Sequence, residues 1–331
     1  MLRNYLRITL RNMRRHAGFT FINVTGLATG MAAFVLIVLF IQNERAYDAH
    51  NEHADDVYQV ILDAAVAGQE IVTASSPAVM ATQFQEEFPE IEAATRINSY
   101  SSDVLLTVDN TPYYQDHYFQ ADSSVFDVFT FTMLVGDPAT ALNRPGTMVL
   151  SETAAEKMFG NQDPMGQTVR YDNRTDYEVT GVYADLPVNS FFRPEVMTTF
   201  LSNSRWNDTI WLNNSYHTFI RLREGSNPNV LQAKFPGFMR TYVGPQIEQF
   251  TGSSYDDALA SGMRYQWQLE RLSEIYLYSK AADQLGPTGD IRYLYILGVI
   301  GLFVLAIAWL TVSYQSIRAA TADPVKSLKY E

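Results

Sequence analysis

Two long apolar segments lie near the ends of the 331-residue chain. The first, Phe19 to Ile41, has 23 residues and no charged side chain, and the second, Tyr293 to Tyr314, also lacks charges. A helix of that length extends about 34 Å, enough to cross a hydrocarbon core of about 30 Å. A cleaved signal peptide would have a shorter apolar core followed by a small-x-small cleavage site. The pattern therefore predicts two transmembrane helices, over residues 19–41 and 293–314.

Between these segments, short runs rich in β-branched and aromatic residues predict strands. The predicted strands are Val57–Leu62, Ala94–Tyr100, Val104–Val108, Thr147–Leu150, Thr168–Tyr171, Tyr177–Tyr183, His217–Leu222 and Arg264–Leu269. Helical patterns are interspersed among them without a regular βαβ alternation. This arrangement favours an α+β domain of two subdomains, flanked by the two transmembrane α-helices.

One helix is predicted soon after the first of these strands. Ser76 is a candidate N-cap, and Pro77 would occupy the first helical position. Met80, Phe84 and Phe88 recur every four residues. This spacing places all three side chains on one apolar face of the helix, which we expect to be buried.

Two further helices carry start and stop signals. Ser151 is the candidate N-cap of the second helix, and Gly160 lies just beyond its predicted end. The third helix is predicted to open at Asn227-Pro228 and to continue towards Tyr242.

Charge separates the middle of the chain from its ends. Residues 45–290 contain 15 Lys and Arg against 33 Asp and Glu, a net charge of −18, whereas the remaining segments contain 9 basic and 3 acidic residues. Basic residues mark the cytoplasmic flanks of transmembrane helices. We therefore expect both termini, including the tail 315–331, in the cytoplasm and the domain 45–290 outside it. An acidic domain also argues against nucleic acid as a partner.

The N-terminal segment, residues 1–18, has the pattern of an amphipathic helix on the cytoplasmic membrane surface. Arg3, Arg7, Arg11 and Arg15 recur at four-residue intervals, with apolar side chains on the opposite face. Together with Arg14 they are candidate anchors to membrane lipid. The alternative interpretation is a positive-inside signal without a defined helix.

Four glycines are candidates for helix packing within the membrane. Gly26 and Gly30 form a GxxxG pair in the first apolar segment, and Gly298 and Gly301 lie in the second. Small residues allow helix backbones to approach closely in lipid. The alternative is that glycine is simply common in membrane helices.

Sequence motifs for catalysis are missing. The chain contains no GxxxxGK phosphate loop, no GxGxxG and no GxSxG, so we do not expect it to hydrolyse ATP. It also has no cysteine, which excludes disulfides and thiolate metal sites. His50 and His53 lie in an acidic segment, but two histidines at this spacing are a weak metal signal and fit a solvated linker. We predict no catalytic residue, no metal site and no cofactor.

Three stretches of the sequence carry a family resemblance. They are Phe21-Ile22-Asn23-Val24-Thr25-Gly26-Leu27 with Tyr47-Asp48 and His50; Val149-Leu150-Ser151-Glu152 through Lys157-Met158-Phe159-Gly160 to Asp185-Leu186-Pro187 and Asn189-Ser190; and Ala308-Trp309-Leu310-Thr311-Val312-Ser313 with Pro324-Val325-Lys326-Ser327-Leu328. Together they touch nearly the whole chain. They resemble the permease subunits of MacB/FtsX-type ABC transporters.

This resemblance implies a periplasmic core domain with a porter-like α/β part and an inserted β-rich part at about residues 115–215. It implies three partners: a cytoplasmic ABC ATPase subunit, a second permease copy in a homodimer or heterodimer, and a periplasmic adaptor. ATP-driven motion of the helices in the inner membrane would be transmitted to the periplasmic domain for export or efflux.

One feature departs from the family pattern. Members have four spans in each module, whereas this chain has two apolar segments. Gly298–Phe303 resembles the start of a module's second span, and Ala308–Tyr314 resembles the end of its last span. We therefore expect an internal deletion of membrane spans, joined within Leu302–Ala308.

Other functional classes share a two-span layout. A receptor-type sensor would carry a signalling domain after the second span, but only 17 residues follow Tyr314. A structural assembly protein would have long coiled-coil stretches, and the sequence has no sustained heptads. A membrane-anchored periplasmic binding, sensing or assembly protein remains the alternative to a permease.

Overall fold

The computed structural model describes residues 11, 14, 17–66, 68–100 and 103–321. The chain divides into two compact units, one formed by the residues up to Ala46 and from Asp290 onward, and the other by Tyr47–Gly289. Most of the predicted N-terminal amphipathic helix lies outside the described residues, as do Arg3, Arg7, Arg15 and the end of the C-terminal tail. Arg11 and Arg14 are helical and exposed.

The first unit is a pair of long helices, α1 (Ala17–Arg45) and α11 (Ile291–Thr321). Each contains a segment long and apolar enough to cross a membrane, Thr20–Arg45 and Ile291–Gln315. Large apolar side chains point outward along both helices; Phe21 is 71% exposed and Trp309 is 68% exposed. Water would disfavour so much exposed apolar surface, whereas lipid would accommodate it. The two predicted apolar helices are confirmed as helices.

The second unit is built on one mixed sheet of 14 strands. The strands are β1 (Val57–Val66), β2 (Gln69–Thr73), β3 (Ser76–Pro77), β4 (Ile91–Ser99), β5 (Val104–Val108), β6 (Thr111–Gln115), β7 (Tyr118–Ala121), β8 (Met133–Val135), β9 (Thr147–Ser151), β10 (Thr168–Tyr171), β11 (Thr175–Tyr183), β12 (Val196–Thr199), β13 (Asn214–Leu222) and β14 (Arg264–Arg271). Eleven of them lie side by side in the order β14-β1-β13-β4-β7-β12-β9-β11-β10-β5-β6, while β2 pairs with β1, β3 with β13 and β8 with β11. Pairing is antiparallel except for β9 with β11 and β7 with β12. All eight predicted strands are confirmed, with bounds that differ by a few residues.

Short helices cover the sheet. They are α2 (Met80–Glu87), α3 (Val125–Val128), α4 (Pro138–Ala141), α5 (Glu152–Phe159), α6 (Pro228–Gln232), α7 (Phe235–Tyr242), α8 (Gly244–Thr251), α9 (Tyr255–Ala260) and α10 (Leu272–Tyr278), with a 3₁₀ turn at Phe200–Ser202. Ser151 caps α5 as predicted, because its hydroxyl accepts a hydrogen bond from the Ala154 N–H.

Alternation along the strands divides the core between the two faces of the sheet. On β1, Tyr58 and Val60 join an aromatic cluster under α2, α7 and α9. The neighbouring Val57 belongs to a second cluster, which includes Phe219 and residues of α3 and α10. A third cluster fills the end of the sheet around β5, β9, β10 and β11.

The predicted N-cap role of Ser76 is wrong. Ser76 and Pro77 form β3 against β13, and the Ser76 hydroxyl donates to the Tyr216 carbonyl at 3.0 Å. Pairing with a distant strand has replaced the local capping interaction, so the helix begins at Met80. Its predicted apolar stripe is nevertheless confirmed, because Met80 and Phe84 are fully buried.

The third predicted helix is also interrupted. Asn227 caps its start, since its side chain accepts from the Asn229 N–H at 2.9 Å. The helix then ends at Gln232, and α7 begins at Phe235 with Pro236 in its first turn. Proline has no N–H to continue the helical ladder, so one continuous helix to Tyr242 could not form there.

The predicted inserted part, residues 115–215, contains strands from β7 to β12, all within the single sheet. β5 and β6 precede it in sequence but pair at the same end of that sheet, beside β10. The bounds of the two subdomains stay a prediction.

Candidate functional site

The chain enters the domain at Tyr47, shortly after α1 ends, and leaves it at Gly289, shortly before α11 begins. Both points are held by Tyr276 of α10. The Tyr276 ring stacks on the Tyr47 ring, with centroids 3.5 Å apart and planes 4° from parallel. The Tyr276 carbonyl accepts a hydrogen bond from the Gly289 N–H at 2.7 Å. Tyr276 therefore contacts both the residue at which the chain enters the domain and the residue at which it leaves.

Tyr276 is positioned by the core beneath α10. Its neighbours Leu272 and Ile275 are fully buried in the cluster on that face of the sheet. Gly289 fits against Tyr276 because it has no side chain: a Cβ there would lie 3.0 Å from the ring carbon Cζ. A larger residue would push the stacked ring away from its position.

Asp48 ties the entering chain to a loop that lies far along the sequence. Its N–H donates to the Asn189 carbonyl at 2.9 Å, and its carboxylate oxygen Oδ1 accepts from the Phe191 N–H at 3.0 Å. The Asp48 backbone has a φ of +59°, a left-handed conformation in which Asp and Asn are enriched among residues other than glycine.

The Asp48 carboxyl group is almost completely buried, and this changes its acid–base behaviour. Loss of hydration raises the pKa of Asp48 from 3.8 to about 7, although the hydrogen bond from Phe191 lowers it in part. Within the described residues its second oxygen, Oδ2, has no hydrogen-bond partner. A protonated carboxyl group avoids the cost of a buried charge at that oxygen.

His50 contacts the same loop. Its ring nitrogens Nε2 and Nδ1 lie 3.2 and 3.3 Å from the Ser190 hydroxyl, and the Asn51 side chain lies 3.3 Å from Nε2. Burial lowers the pKa of His50, which favours the neutral ring. Among the residues that the structure describes, no three His, Asp or Glu side chains come together as metal ligands.

The segment that leaves the domain also packs on the loop that contacts Asp48 and His50. Gly286 packs so tightly on the loop that a Cβ there would overlap the Phe191 carbonyl oxygen. Only glycine permits that approach. Three segments thus meet at one place, residues 47–51, 189–191 and 276–289, and we call them the attachment cluster.

The comparisons with known proteins identify the family. The family model of the MacB-like periplasmic core domain matches residues 20–237, which include most of α1 and every strand from β1 to β13. The chain belongs to this family. No curated protein matches it at comparable stringency.

One solved structure supports the same fold, and two others are more distantly similar. A domain from Porphyromonas gingivalis, assigned as part of a permease, superposes with a TM-score of 0.55 at 21% identity and covers 74% of this chain and 98% of its own. The periplasmic region of MacB from Actinobacillus actinomycetemcomitans gives 0.43 at 14% identity, covering 67% and 91%. The extracellular domain of the ABC-type transporter YknZ from Gram-positive bacteria gives 0.40 at 12%, covering 65% and 99%.

As a MacB-like periplasmic core domain flanked by two apolar helices, the chain is an ABC permease-type component. Several residues that carry the family resemblance lie together in the attachment cluster. Tyr47, Asp48 and His50 come from the first stretch, and Asn189 and Ser190 come from the second. The resemblance named these residues but gave them no role. Because the two stretches lie far apart in the sequence, the sequence did not indicate that these residues are in contact.

The four predicted packing glycines of this permease-type chain differ in their surroundings. A Cβ on Gly30 would lie 3.7 Å from Ala308, and one on Gly301 would lie 3.3 Å from Ile37. A Cβ on Gly298 would lie 3.9 Å from Ile41 Cδ1. Gly26 has no such neighbour within 4 Å and borders an open groove of about 510 Å³ between α1 and α11.

Tyr276, Gly286 and Gly289 are the members of the attachment cluster that sequence reasoning missed. None of them lies in a motif, and the two glycines fit there because they have no side chain. Nothing in the sequence around Tyr276 indicates its role, because its partner Tyr47 lies far away along the chain.

Proposed function

We propose that this chain is the membrane permease subunit of a MacB/FtsX-like ABC transporter, which transmits ATP-driven motion to its periplasmic domain for export or efflux. The observation that carries the proposal is the convergence of both chain connections on Tyr276. A change in the relative position of the two helices would pull on Tyr47 and Gly289. Since both residues contact α10, the displacement would reach the core of the domain through one short, well-packed helix.

The proposal requires partners. ATP hydrolysis is assigned to a separate cytoplasmic ABC ATPase, because the sequence has no phosphate loop. A second permease copy and a periplasmic adaptor would complete the assembly. We place the chain in the inner membrane with both termini in the cytoplasm, in keeping with its basic flanks and acidic domain.

Affinity purification of the full chain in mild detergent tests the partnership. We expect a co-purifying protein with a phosphate loop and ATPase activity. Recovery of the intact chain alone, at several detergent concentrations and after cross-linking in cells, would count against a permease role.

Cysteine labelling tests the orientation, because the chain has no native cysteine. A cysteine replacing the exposed Gln162 should react with a membrane-impermeant maleimide in cells with a permeabilised outer membrane. A cysteine replacing Asn4 should react only after the inner membrane is opened. The reverse pattern would contradict the proposal.

Tyr276 tests the mechanical coupling itself. In the complex with the ATPase, addition of ATP should change hydrogen exchange at the Phe191 and Gly289 amides, which bond to Asp48 and Tyr276. Tyr276→Ala removes the stacked ring and should abolish this response while leaving complex formation intact. The matched variant Tyr276→Phe keeps the ring and should retain it. An ATP response that is equal in both variants would exclude Tyr276 as the point of coupling.

We also propose that the chain has lost membrane spans within Leu302–Ala308. Support comes from the resemblance of Gly298–Phe303 and Ala308–Tyr314 to two different spans of a four-span module. Resequencing the source gene tests this proposal. An intact frame, with close relatives of the same length, would contradict it.

A further inference from the structure

β14 is the last strand at one end of the sheet, so one of its sides is an open edge. Its main-chain groups alternate in direction between β1 and that edge. The Leu269 N–H donates to the Gln232 side chain at 2.9 Å, and the Tyr265 carbonyl accepts from the Tyr255 hydroxyl at 3.0 Å. Both groups therefore point away from β1. Trp267 lies between them with the same orientation.

The N–H and C=O of Trp267 have no hydrogen-bond partner within the described ranges. Its indole Nε1 is buried and also lacks a partner there. Unpaired polar groups at a sheet edge are costly and form a template for another strand. Gln232 and Tyr255 thus cap the edge on either side of Trp267 and leave one residue open between the caps.

The open residue borders a groove. A cavity of about 420 Å³ lies along the strand, with walls from α6, α7 and α9. Met239 lies buried in its wall, and the half-buried side chains of Leu259 and Met263 reach its surface. The groove therefore offers apolar contact beside a main-chain donor and acceptor, which is the combination that binds an extended peptide by strand addition.

Two other margins of the sheet are blocked in part. At the far end, β6 contains Pro112, which has no N–H to offer, and the Tyr114 carbonyl accepts from the Lys157 ammonium group. Beside β2, the Ala282 N–H donates to the Val72 carbonyl and the Ala282 carbonyl accepts from the Ala74 N–H. At Trp267, by contrast, both the N–H and the C=O are open.

Charge around the groove favours a basic occupant. Arg264 is already paired with Asp63 at 2.8 Å and with Glu70 at 3.6 Å. Arg240, on α7 in the groove wall, is paired with Asp256 at 2.9 Å. Arg264 and Arg240 are thus both neutralised by acidic partners, and the domain as a whole is strongly acidic. The electrostatic field at the groove therefore attracts positive charge.

We propose that the β14 edge binds an extended, basic peptide segment with apolar residues at alternate positions, which pairs with the main chain of Trp267. The pairing forms one β-bridge at Trp267 between the two caps, and the apolar side chains of the peptide pack on Leu259 and Met263. This proposal is independent of coupling to an ATPase.

Hydrogen exchange on the full chain in non-ionic detergent tests the proposal. The probe is a capped hexapeptide of alternating lysine and valine, and its control is the same peptide methylated on every main-chain nitrogen. The unmodified peptide should slow exchange at the Trp267 amide at least tenfold, and the methylated peptide should not. Equal protection by both peptides would mean charge attraction without strand pairing and would overturn the proposal.

A matched pair of variants locates the site. Met263→Lys places a positive charge in the groove and should weaken probe binding at least tenfold. Leu134→Lys makes the same charge change at an exposed apolar residue on β8, outside the groove, and should leave binding unchanged. Equal affinity of the two variants would overturn the proposal. So would protection of Trp267 that rises with protein concentration when no peptide is present, because that result would identify a second copy of the chain as the occupant.

Discussion

The Asp48 carboxyl group is buried, so its ionised form lacks the hydration that would stabilise the charge in water. Because the pKa of Asp48 is about 7 in the folded domain and ordinarily 3.8, the folded state holds a proton over a pH range in which the unfolded state does not. This contribution to stability is fully present below about pH 4 and is lost as the pH rises through about 7. His50 and His217 have lowered pKa values, so their contributions have the opposite sign and are lost as the pH falls.

Asp48→Asn isolates the carboxyl effect from the histidines. The amide oxygen can still accept from the Phe191 N–H, but the side chain no longer titrates. We expect the variant to gain stability relative to the natural chain as the pH is raised from 4 to 8, by about 2–4 kcal/mol over the range. Chemical unfolding of both proteins at several pH values measures this difference. Parallel stability curves would show that Asp48 ionises as it does in water.

A buried ion pair supports a second prediction at the residue scale. Arg96 forms a forked pair with Asp122, with both N–O distances at 2.8 Å, and donates to the carbonyls of Ala78 and Trp206. Asp122→Ala should cost about 3–5 kcal/mol of unfolding free energy, since it leaves the guanidinium buried and unbalanced.

The matched control for this ion pair is Asp176→Ala. Asp176 is paired with Arg170 at 2.7 Å, but both side chains are about half exposed. Solvent screens such a pair, so its loss should cost far less than the loss of Asp122. Urea unfolding of both variants gives the comparison. Similar losses would mean that burial does not distinguish the two pairs.

The two long helices pack as whole elements, and their contact can be tested directly. A Cβ on Gly30 would lie 3.7 Å from the Ala308 Cβ, and disulfides need Cβ atoms about 3.5–4.5 Å apart. The double variant Gly30→Cys with Ala308→Cys should therefore form a disulfide on mild oxidation. Because the chain has no other cysteine, a mobility shift on non-reducing gels and peptide mapping can detect it.

The control uses the other glycine of the GxxxG pair. A Cβ on Gly26 has no neighbour within 4 Å, so Gly26→Cys with Ala308→Cys should stay reduced under the same conditions. Cross-linking of both pairs to the same extent would show that α1 and α11 do not hold the packing described above.

At the scale of the whole molecule, Tyr47–Gly289 contains the complete sheet, its covering helices and all the aromatic clusters. A unit with its own core can fold alone. We expect the fragment 47–289, expressed without α1 and α11, to be monomeric and soluble and to give a mixed α/β circular dichroism spectrum. A mainly helical spectrum would instead favour the assembly-protein alternative. An unfolded fragment would mean that the long helices supply part of its stability.

The sequence by itself determined the features that depend on local spacing. Both apolar helices, the eight predicted strands, the capped helix α5 and the buried stripe of α2 follow from short-range periodicity and end signals, which neighbouring residues generate by themselves. Ser76 is the exception, because its hydroxyl, which could cap a helix, donates to the Tyr216 carbonyl on β13 instead.

Only the tertiary structure decided which of these elements meet. The attachment cluster joins Asp48 to Phe191, 143 positions away, and Tyr47 to Tyr276, and no local pattern encodes such pairings. The open edge at Trp267 has the same origin: β14 reads as an ordinary amphipathic strand, and its place at the margin depends on the order of all the others. Strand order is a property of the packed sheet as a whole, in which each strand's neighbours are selected by the burial of both faces.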